Sequence, residues 1–200
     1  MADGLPRQSA LAHLRLALRT VRDPGRAGVR LSELPARTCL NLRAEATPEI
    51  RAIVAERIGC GLPLHPSAST RKRGMTALWL GPDEWLIAGD SSADEIMARL
   101  DGGFRGRFVT VTDVSDTYCV IGLAGKAAEE VLSKGCSLDL HPEVFEIGHV
   151  ARTLCAKADI ILHRTRKIGF EIYVRRSFAD YLWHWLEDAG KEFRIAVIES

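Results

Sequence analysis

The chain has 200 residues, 46% of them hydrophobic and 26% charged, with a formal net charge of +1. That balance excludes a disordered or collagen-like chain, and it supplies no general field to attract nucleic acid or anionic lipid. No apolar run approaches the roughly 20 residues that cross a bilayer, so no membrane association is expected.

The five cysteines are Cys39, Cys60, Cys119, Cys136 and Cys155, an odd count with no C-x-x-C pair. They read as free thiols in a reducing compartment. His13 and Arg15 interrupt the apolar content between Leu11 and Leu18, which is not the pattern of a secretory signal. The expectation is a soluble cytoplasmic protein.

Residues 1–35 read as an N-terminal arm. Leu11, Leu14, Leu18 and Val21 recur at spacings of three and four, predicting a helix over residues 9–21 with a narrow apolar stripe. Arg7, Arg15, Arg19 and Arg22 decorate it, with no acid between Asp3 and Asp23. Asp23-Pro24-Gly25 stops it.

From Thr38 the elements come in a regular order. A strand over Thr38–Leu42 leads to Thr47-Pro48, an N-cap with proline in the first turn. Ile50, Ile53, Val54 and Ile58 mark the buried face of the helix that follows, which ends near Gly59. Residues 62–74 are loop by composition. Met75–Leu80 and Glu84–Ala88 are strands around Gly81-Pro82-Asp83. Ser92 with Glu95 forms a capping box for a helix that ends at Gly102-Gly103, and residues 108–114 return as a strand.

The second half repeats this order after about 80 residues. Residues 118–123 form a strand and residues 125–133 a helix closed by Gly135. Strands follow over residues 149–156 and 159–165, and the Phe170–Val174 stretch alternates as a third. Ser177 caps a helix whose Phe178, Tyr181, Leu182, Trp185 and Leu186 form an apolar stripe. Residues 194–198 are the last strand. The expected fold class is α+β: two intertwined ferredoxin-like βαββαβ halves, about 36–114 and 115–200, in one domain over 36–200.

No cluster of residues declares a reaction by itself. Asp113 and Asp116 flank Val114-Ser115 at a strand end; a carboxylate there could orient an amine or a folate ring, but Asp and Ser at a strand exit more often close turns. Cys136, His141, His149 and Cys155 are of metal-ligating type, yet their spacings fit no compact zinc site. His65 sits in a polar loop without an identifiable orienting partner. Arg164, Arg166, Arg175 and Arg176 would form a basic patch if neighbouring strands pair, facing a polyglutamate tail, a partner or plain solvent. Arg71-Lys72-Arg73 has no interleaved aromatic platform for nucleic acid. Trp79 and Trp183 fall off the expected core faces and are read as partner-facing surface, whereas Trp185 lies on the core stripe.

The duplicated order, with TDVSDTYCVIGLAGKAAEEVLSKGCSLDL at its centre, resembles the folate-binding domains of the aminomethyltransferase superfamily. Leu31–Pro35 (LSELP), Leu40–Arg43 (LNLR), Leu78–Ile87 (LWLGPDEWLI), Asp113–Asp116 (DVSD), Gly135–Pro142 and the helix after GFEIYVRRSFADYLWHWL are similar to the sarcosine oxidase gamma-subunit family within it. The resemblance spans about residues 29–190.

It implies a structural subunit of a heterotetramer that demethylates sarcosine oxidatively to glycine, with tetrahydrofolate as one-carbon acceptor. It further implies that alpha, beta and delta partners carry FAD, FMN, NAD, zinc and the folate, and that this chain has no catalytic, cofactor-binding or metal-binding residues. In keeping with that, no strand is followed by G-x-G-x-x-G. Two alternatives stay open: a stand-alone folate-dependent aminomethyltransferase with Asp113 or Asp116 near its substrate, and a scaffold of some other complex.

Overall fold

The narrow stripe of the arm is too weak to hold one helix. In the computed structural model, which describes residues 8–199, Arg15 is left-handed (φ 48°) and splits the segment. A 3-10 turn over Ala12–Leu14 precedes it and a single helical turn, α1 (Leu16–Arg19), follows. Short helices are marginal alone, and here tertiary contacts decide the conformation. Leu11 is fully buried, His13 bonds Asp180 at 2.6 Å, and Arg19 pairs with Glu187. Arg7 and Asp3 lie outside the described residues.

The arm is also shorter than expected, because its end is a strand. β1 (Val29–Glu33) buries Val29 and Leu31 and joins a sheet of the second half.

The first half runs β2 (Thr38–Ala44), α2 (Pro48–Ile58), β3 (Ser69–Lys72), β4 (Met75–Gly81), β5 (Glu84–Gly89), α3 (Ala93–Phe104) and β6 (Val109–Asp113). Capping chemistry sets the helix starts: the Thr47 hydroxyl accepts from the Ile50 amide, and the Ser92 hydroxyl from the Glu95 amide. Gly59, at φ 74°, closes α2. The sheet order is β3-β4-β5-β2-β6, in which β4-β5-β2-β6 is the ferredoxin-like arrangement.

Two boundaries differ from the sequence reading. Ser69–Lys72, within the expected loop, pairs with β4 as an edge strand. α3 runs through Gly102-Gly103 to the buried Phe104. Gly103 is not a stop there but a point of close helix packing: a Cβ on it would lie 2.5 Å from Ile53 Cγ2 of α2.

The second half runs β7 (Tyr118–Ala124), α4 (Ala128–Ser133), β8 (Val150–Cys155), β9 (Ala158–Arg166), β10 (Gly169–Arg175), α5 (Arg176–Gly190) and β11 (Ile195–Val197). Its sheet order is β11-β1-β7-β10-β9-β8. β1 pairs antiparallel with β7 and takes the place of the fourth ferredoxin strand, pushing β11 outward as a parallel neighbour. The halves are intertwined in this sense: a strand from before the first half completes the sheet of the second.

Four layers result. α2 and α3 cover the outer face of the five-stranded sheet through Ile50, Val54, Ile96 and Leu100, and α4 and α5 cover the six-stranded sheet through Val131, Leu132, Leu182 and Leu186. Between the sheets, Leu78, Leu80 and Leu86 meet Val120, Val150, Ile161 and Tyr173. Because both faces of each sheet are covered, alternation does not separate core from surface. This corrects the reading of Trp79, which packs against both the helix-side and the inter-sheet clusters.

α5 is rotated relative to its expected stripe. It begins directly after Arg175 with no side-chain cap, so Ser177 does not cap it. Its buried face is Ala179, Leu182, Trp183, Leu186 and Gly190. Trp183 is therefore fully buried rather than partner-facing, while Phe178 and Tyr181 are substantially exposed.

Candidate functional site

Strand pairing brings a row of polar side chains into the space between the sheets. β10 and β9 place Glu171 opposite His163, and Tyr173 stands two residues along on the same face. Glu171 and His163 are both buried. The Glu171 carboxylate accepts from Arg37 Nη1 at 2.9 Å and from the Tyr173 hydroxyl at 3.1 Å. Arg71 approaches its other oxygen at 3.9 Å. The Arg37 guanidinium loses hydration by burial, but Glu171 and Tyr173 outweigh that loss and raise its pKa. Burial, reinforced by the Glu171 charge, pushes the Tyr173 hydroxyl far above the usual phenol range.

His163 Nε2 lies 3.0 Å from Ser69 Oγ, which donates to the Gly148 carbonyl at 2.6 Å. Since that hydroxyl gives its proton to Gly148, the imidazole must present N–H at Nε2. Nδ1 then carries a lone pair, has no hydrogen-bond partner among the described residues, and sits 4.0 Å from Glu171 Oε2. Burial holds the ring neutral, with a pKa down to about 4 despite the nearby carboxylate.

A second polar cluster joins the sheets. Glu84, in the LGPDEWL turn, accepts from Asn41 at 2.8 Å, from Arg43 at 3.2 Å, and from Arg152 of the other sheet at 2.7 and 3.1 Å. Burial opposes its charge, but these donors win and lower its pKa to about 2. Its neighbour Trp85 is fully buried and donates to the Pro63 carbonyl at 2.8 Å. The most distinctive motif in the sequence thus builds an inter-sheet clamp.

The residues singled out from the sequence do not converge. Asp113 accepts from the Ser115 amide at 2.9 Å and from its hydroxyl, and that hydroxyl accepts from the Cys39 amide at 2.9 Å. This is the turn role. Asp116 is exposed next to the same turn. Cys136 and Cys155 are buried, His141 is exposed and His149 partly buried, and among the described residues no group of three or more His, Cys, Asp or Glu is placed to hold a metal ion. His65 is exposed.

The four arginines form no patch. Arg164 is buried and donates to the carbonyls of Leu140 at 2.9 Å and Phe145 at 3.1 Å, Arg176 donates to the Gln8 carbonyl, and Arg166 and Arg175 are exposed. Among the described residues no disulfide joins any of the five cysteines, and all are buried; burial first, then Glu33 beside Cys119 and Cys136 beside Cys155, takes these two thiols up to about 12. The inter-sheet network escaped sequence reading because Arg37 and Ser69 lie far along the chain from the His163–Glu171 pair. The local signal is an acidic residue, Glu171, set between the apolar Phe170 and Ile172.

Paired ferredoxin-like halves of this kind define the aminomethyltransferase-like fold. The chain superposes on aminomethyltransferase T of the glycine cleavage system from Bartonella henselae with a TM-score of 0.61 at 16% identity, covering 94% of this chain and 51% of that one. Within that fold, the chain belongs to the sarcosine oxidase gamma subunit family, whose model matches residues 43–192. It is 35% identical over 193 residues to sarcosine oxidase subunit gamma of Corynebacterium sp. (strain U-96), covering 96% of this chain and 94% of the relative. It also matches a chain of heterotetrameric sarcosine oxidase from Corynebacterium sp. U-96, solved with pyrrole 2-carboxylate, with a TM-score of 0.84 at 34% identity over 94% of this chain and 97% of that one.

Proposed function

We propose that this chain is a non-catalytic assembly subunit of a heterotetrameric sarcosine oxidase, which demethylates sarcosine oxidatively to glycine with tetrahydrofolate as one-carbon acceptor. Its partners would be the alpha, beta and delta subunits, which would carry FAD, FMN, NAD, zinc and the folate. The chain's own contribution would be to position those subunits and keep water from the reacting centre.

The observation that carries this reading is the state of the buried polar groups. Glu171 is engaged by Arg37 and Tyr173, and Glu84 by Asn41, Arg43 and Arg152. Cys119 and Cys155 are held as thiols at neutral pH. A general base or a nucleophile needs a free, aimed lone pair; these groups are committed to internal partners, and the one free lone pair described above, His163 Nδ1, faces the Glu171 carboxylate in the closed space between the sheets.

The test is sarcosine-dependent hydrogen peroxide production by the co-expressed complex, with and without this chain, alongside size-exclusion chromatography. Loss of assembly and activity together, with no flavin absorbance or turnover from the chain alone, is the expected result. A normal complex with full activity in its absence would overturn the reading. The fold itself favours one rival, folate-dependent aminomethyl transfer by the isolated chain; calorimetric titration with tetrahydrofolate decides it.

A further inference from the structure

Among the described residues, three of the four sheet edges are guarded. β3 carries Arg71 and Lys72. β8 carries Arg152, and its Val150 amide donates to the Ser67 carbonyl at 2.8 Å. β11 is covered by the arm, where Thr20 bridges Val197 and the Val21 amide donates to the Val197 carbonyl at 3.0 Å.

The fourth edge, β6, has the sequence VTVTD, with no lysine, arginine or proline, and its register with β2 is unbroken from Val109 to Asp113. Such an edge is a template for another strand, and proteins normally blunt it with charge, proline or a bulge. The free backbone groups can be placed. On β2 the Ala44 amide points to the Asp83 carbonyl, away from β6, and past the end of β6 the Val114 amide donates to Cys39. Alternation along an antiparallel ladder then turns the N–H and C=O of Val111 outward.

Beside this edge lies a groove of about 660 Å³ lined by Phe108, Pro82, Asp83, Glu45, Arg43 and Thr110, among others. Phe108 is fully exposed. Glu45 and Asp83 are exposed carboxylates with no ion-pair partner among the described residues, whereas Arg43 is already on Glu84.

We propose that β6 and this groove receive an extended segment of a partner subunit, which adds a strand to the five-stranded sheet and sets an apolar side chain beside a basic one. The outward Val111 backbone supplies the pairing, Phe108 and Pro82 the apolar contact, and Glu45 and Asp83 the charge that a lysine or arginine answers. A second copy of β6 is the wrong occupant, because VTVTD carries an acid and no base. The inference rests on the subunit reading and names the surface that serves it.

The test uses the full chain co-expressed with the other subunits, one of which bears an affinity tag. Val111→Pro removes the outward N–H, Thr112→Lys guards the exposed edge, and Phe108→Ala removes the apolar contact. Thermal melting of each isolated variant separates folding from docking. Should Val111→Pro fail to fold, the exposed position Thr112 carries the test. Each folded variant is expected to lose about tenfold or more in retention by the complex, and Glu45→Lys with Asp83→Lys to lose the salt sensitivity of wild-type binding.

Wild-type assembly together with undiminished capture of all folded variants would overturn the proposal while leaving the subunit reading intact. Failure of the wild-type chain to assemble would sink the subunit reading itself. A wild-type homodimer that Thr112→Lys disrupts would assign the edge to a second copy and also overturn the proposal.

Discussion

Arg152 on β8 holds Glu84 on β5 with both terminal guanidinium nitrogens, at 2.7 and 3.1 Å, so the two sheets are joined by one bidentate pair. Arg43 and Asn41 of β2 complete the set of donors to the same carboxylate. The folded protein therefore binds a proton at Glu84 more weakly than the unfolded chain does. Its stabilisation is present above the unfolded pKa of 4.5 and is lost as the pH falls toward about 2. A shift of that size corresponds to about 3 kcal/mol, and exposure of the two arginines reduces the expected contribution to about 1–2 kcal/mol. Urea titrations at successive pH values should show this loss in the wild type and its absence in Glu84→Gln. Equal acid sensitivity in both would show that the clamp does not act this way.

His163 gives a second, separate window. Its folded pKa of about 4 lies below the unfolded value of 6.5. The unfolded chain consequently takes up a proton first as the pH falls, and the stability contributed by the neutral ring is full above 6.5 and declines toward 4. Glu171 facing Nδ1 favours protonation, while Arg71 and Arg37 oppose it together with burial. The expected loss is about 2–3 kcal/mol. NMR titration should find the His163 ring neutral at pH 5.5, and His163→Gln should flatten the stability profile between pH 7 and 4.5. A ring that titrates near 6.5 in the folded protein would contradict this account.

Capping and period made most of the elements legible. Thr47, Ser92 and Gly59 mark helix ends through local hydrogen bonds, and the alternation over Phe170–Val174 marks a strand. The four-layer stack accounts for one of the differences. Once both faces of a sheet are covered, alternation no longer tells which side is outside, so it places Trp79 on a surface that the second sheet covers. β1 was hidden because Val29 and Leu31 form too short a pattern to stand out from the arm; its place next to β7 depends on pairing across a separation of about ninety residues. The Glu171 network is hidden for the same reason in part: His163 and Glu171 share a hairpin, but Arg37 and Ser69 reach them from the segment before β2 and from β3.

Trp183 tests the rotation of α5. Its ring is fully buried, and the indole Nε1 has no hydrogen-bond partner among the described residues. Truncation to alanine should cost about 3–5 kcal/mol through lost burial and the resulting cavity. Trp183→Phe should cost far less, about 1–2 kcal/mol, because it removes an N–H that nothing accepts. Denaturant unfolding of the isolated chain measures both. If Trp183→Ala left the isolated fold at wild-type stability, the residue would belong to the surface, as its off-stripe position suggested.

Arg164 provides the sharpest contrast between charge as surface and charge as structure. The guanidinium, almost completely buried, donates to the Leu140 and Phe145 carbonyls, approaches Glu129 at 3.4 Å, and lies over the Phe170 ring at 5.1 Å. It pins the segment between α4 and β8, where Leu140 and Phe145 enter the core without regular secondary structure. Removing it strands buried carbonyls that have no other donor of comparable reach, at a cost of about 1–3 kcal/mol for each unsatisfied group. Arg164→Met keeps the stem and loses the donors, so it should destabilise the chain by about 3 kcal/mol. Limited proteolysis should then cut between residues 137 and 147 sooner than it does in the wild type. Arg164→Lys should rescue only part of the loss, because one ammonium can replace Nη1 at the Leu140 and Phe145 carbonyls but leaves the Lys167 carbonyl and Glu129, which Nη2 reaches, without their donor. Full stability and unchanged protection in Arg164→Met would place the anchoring of this segment in Leu140 and Phe145 alone.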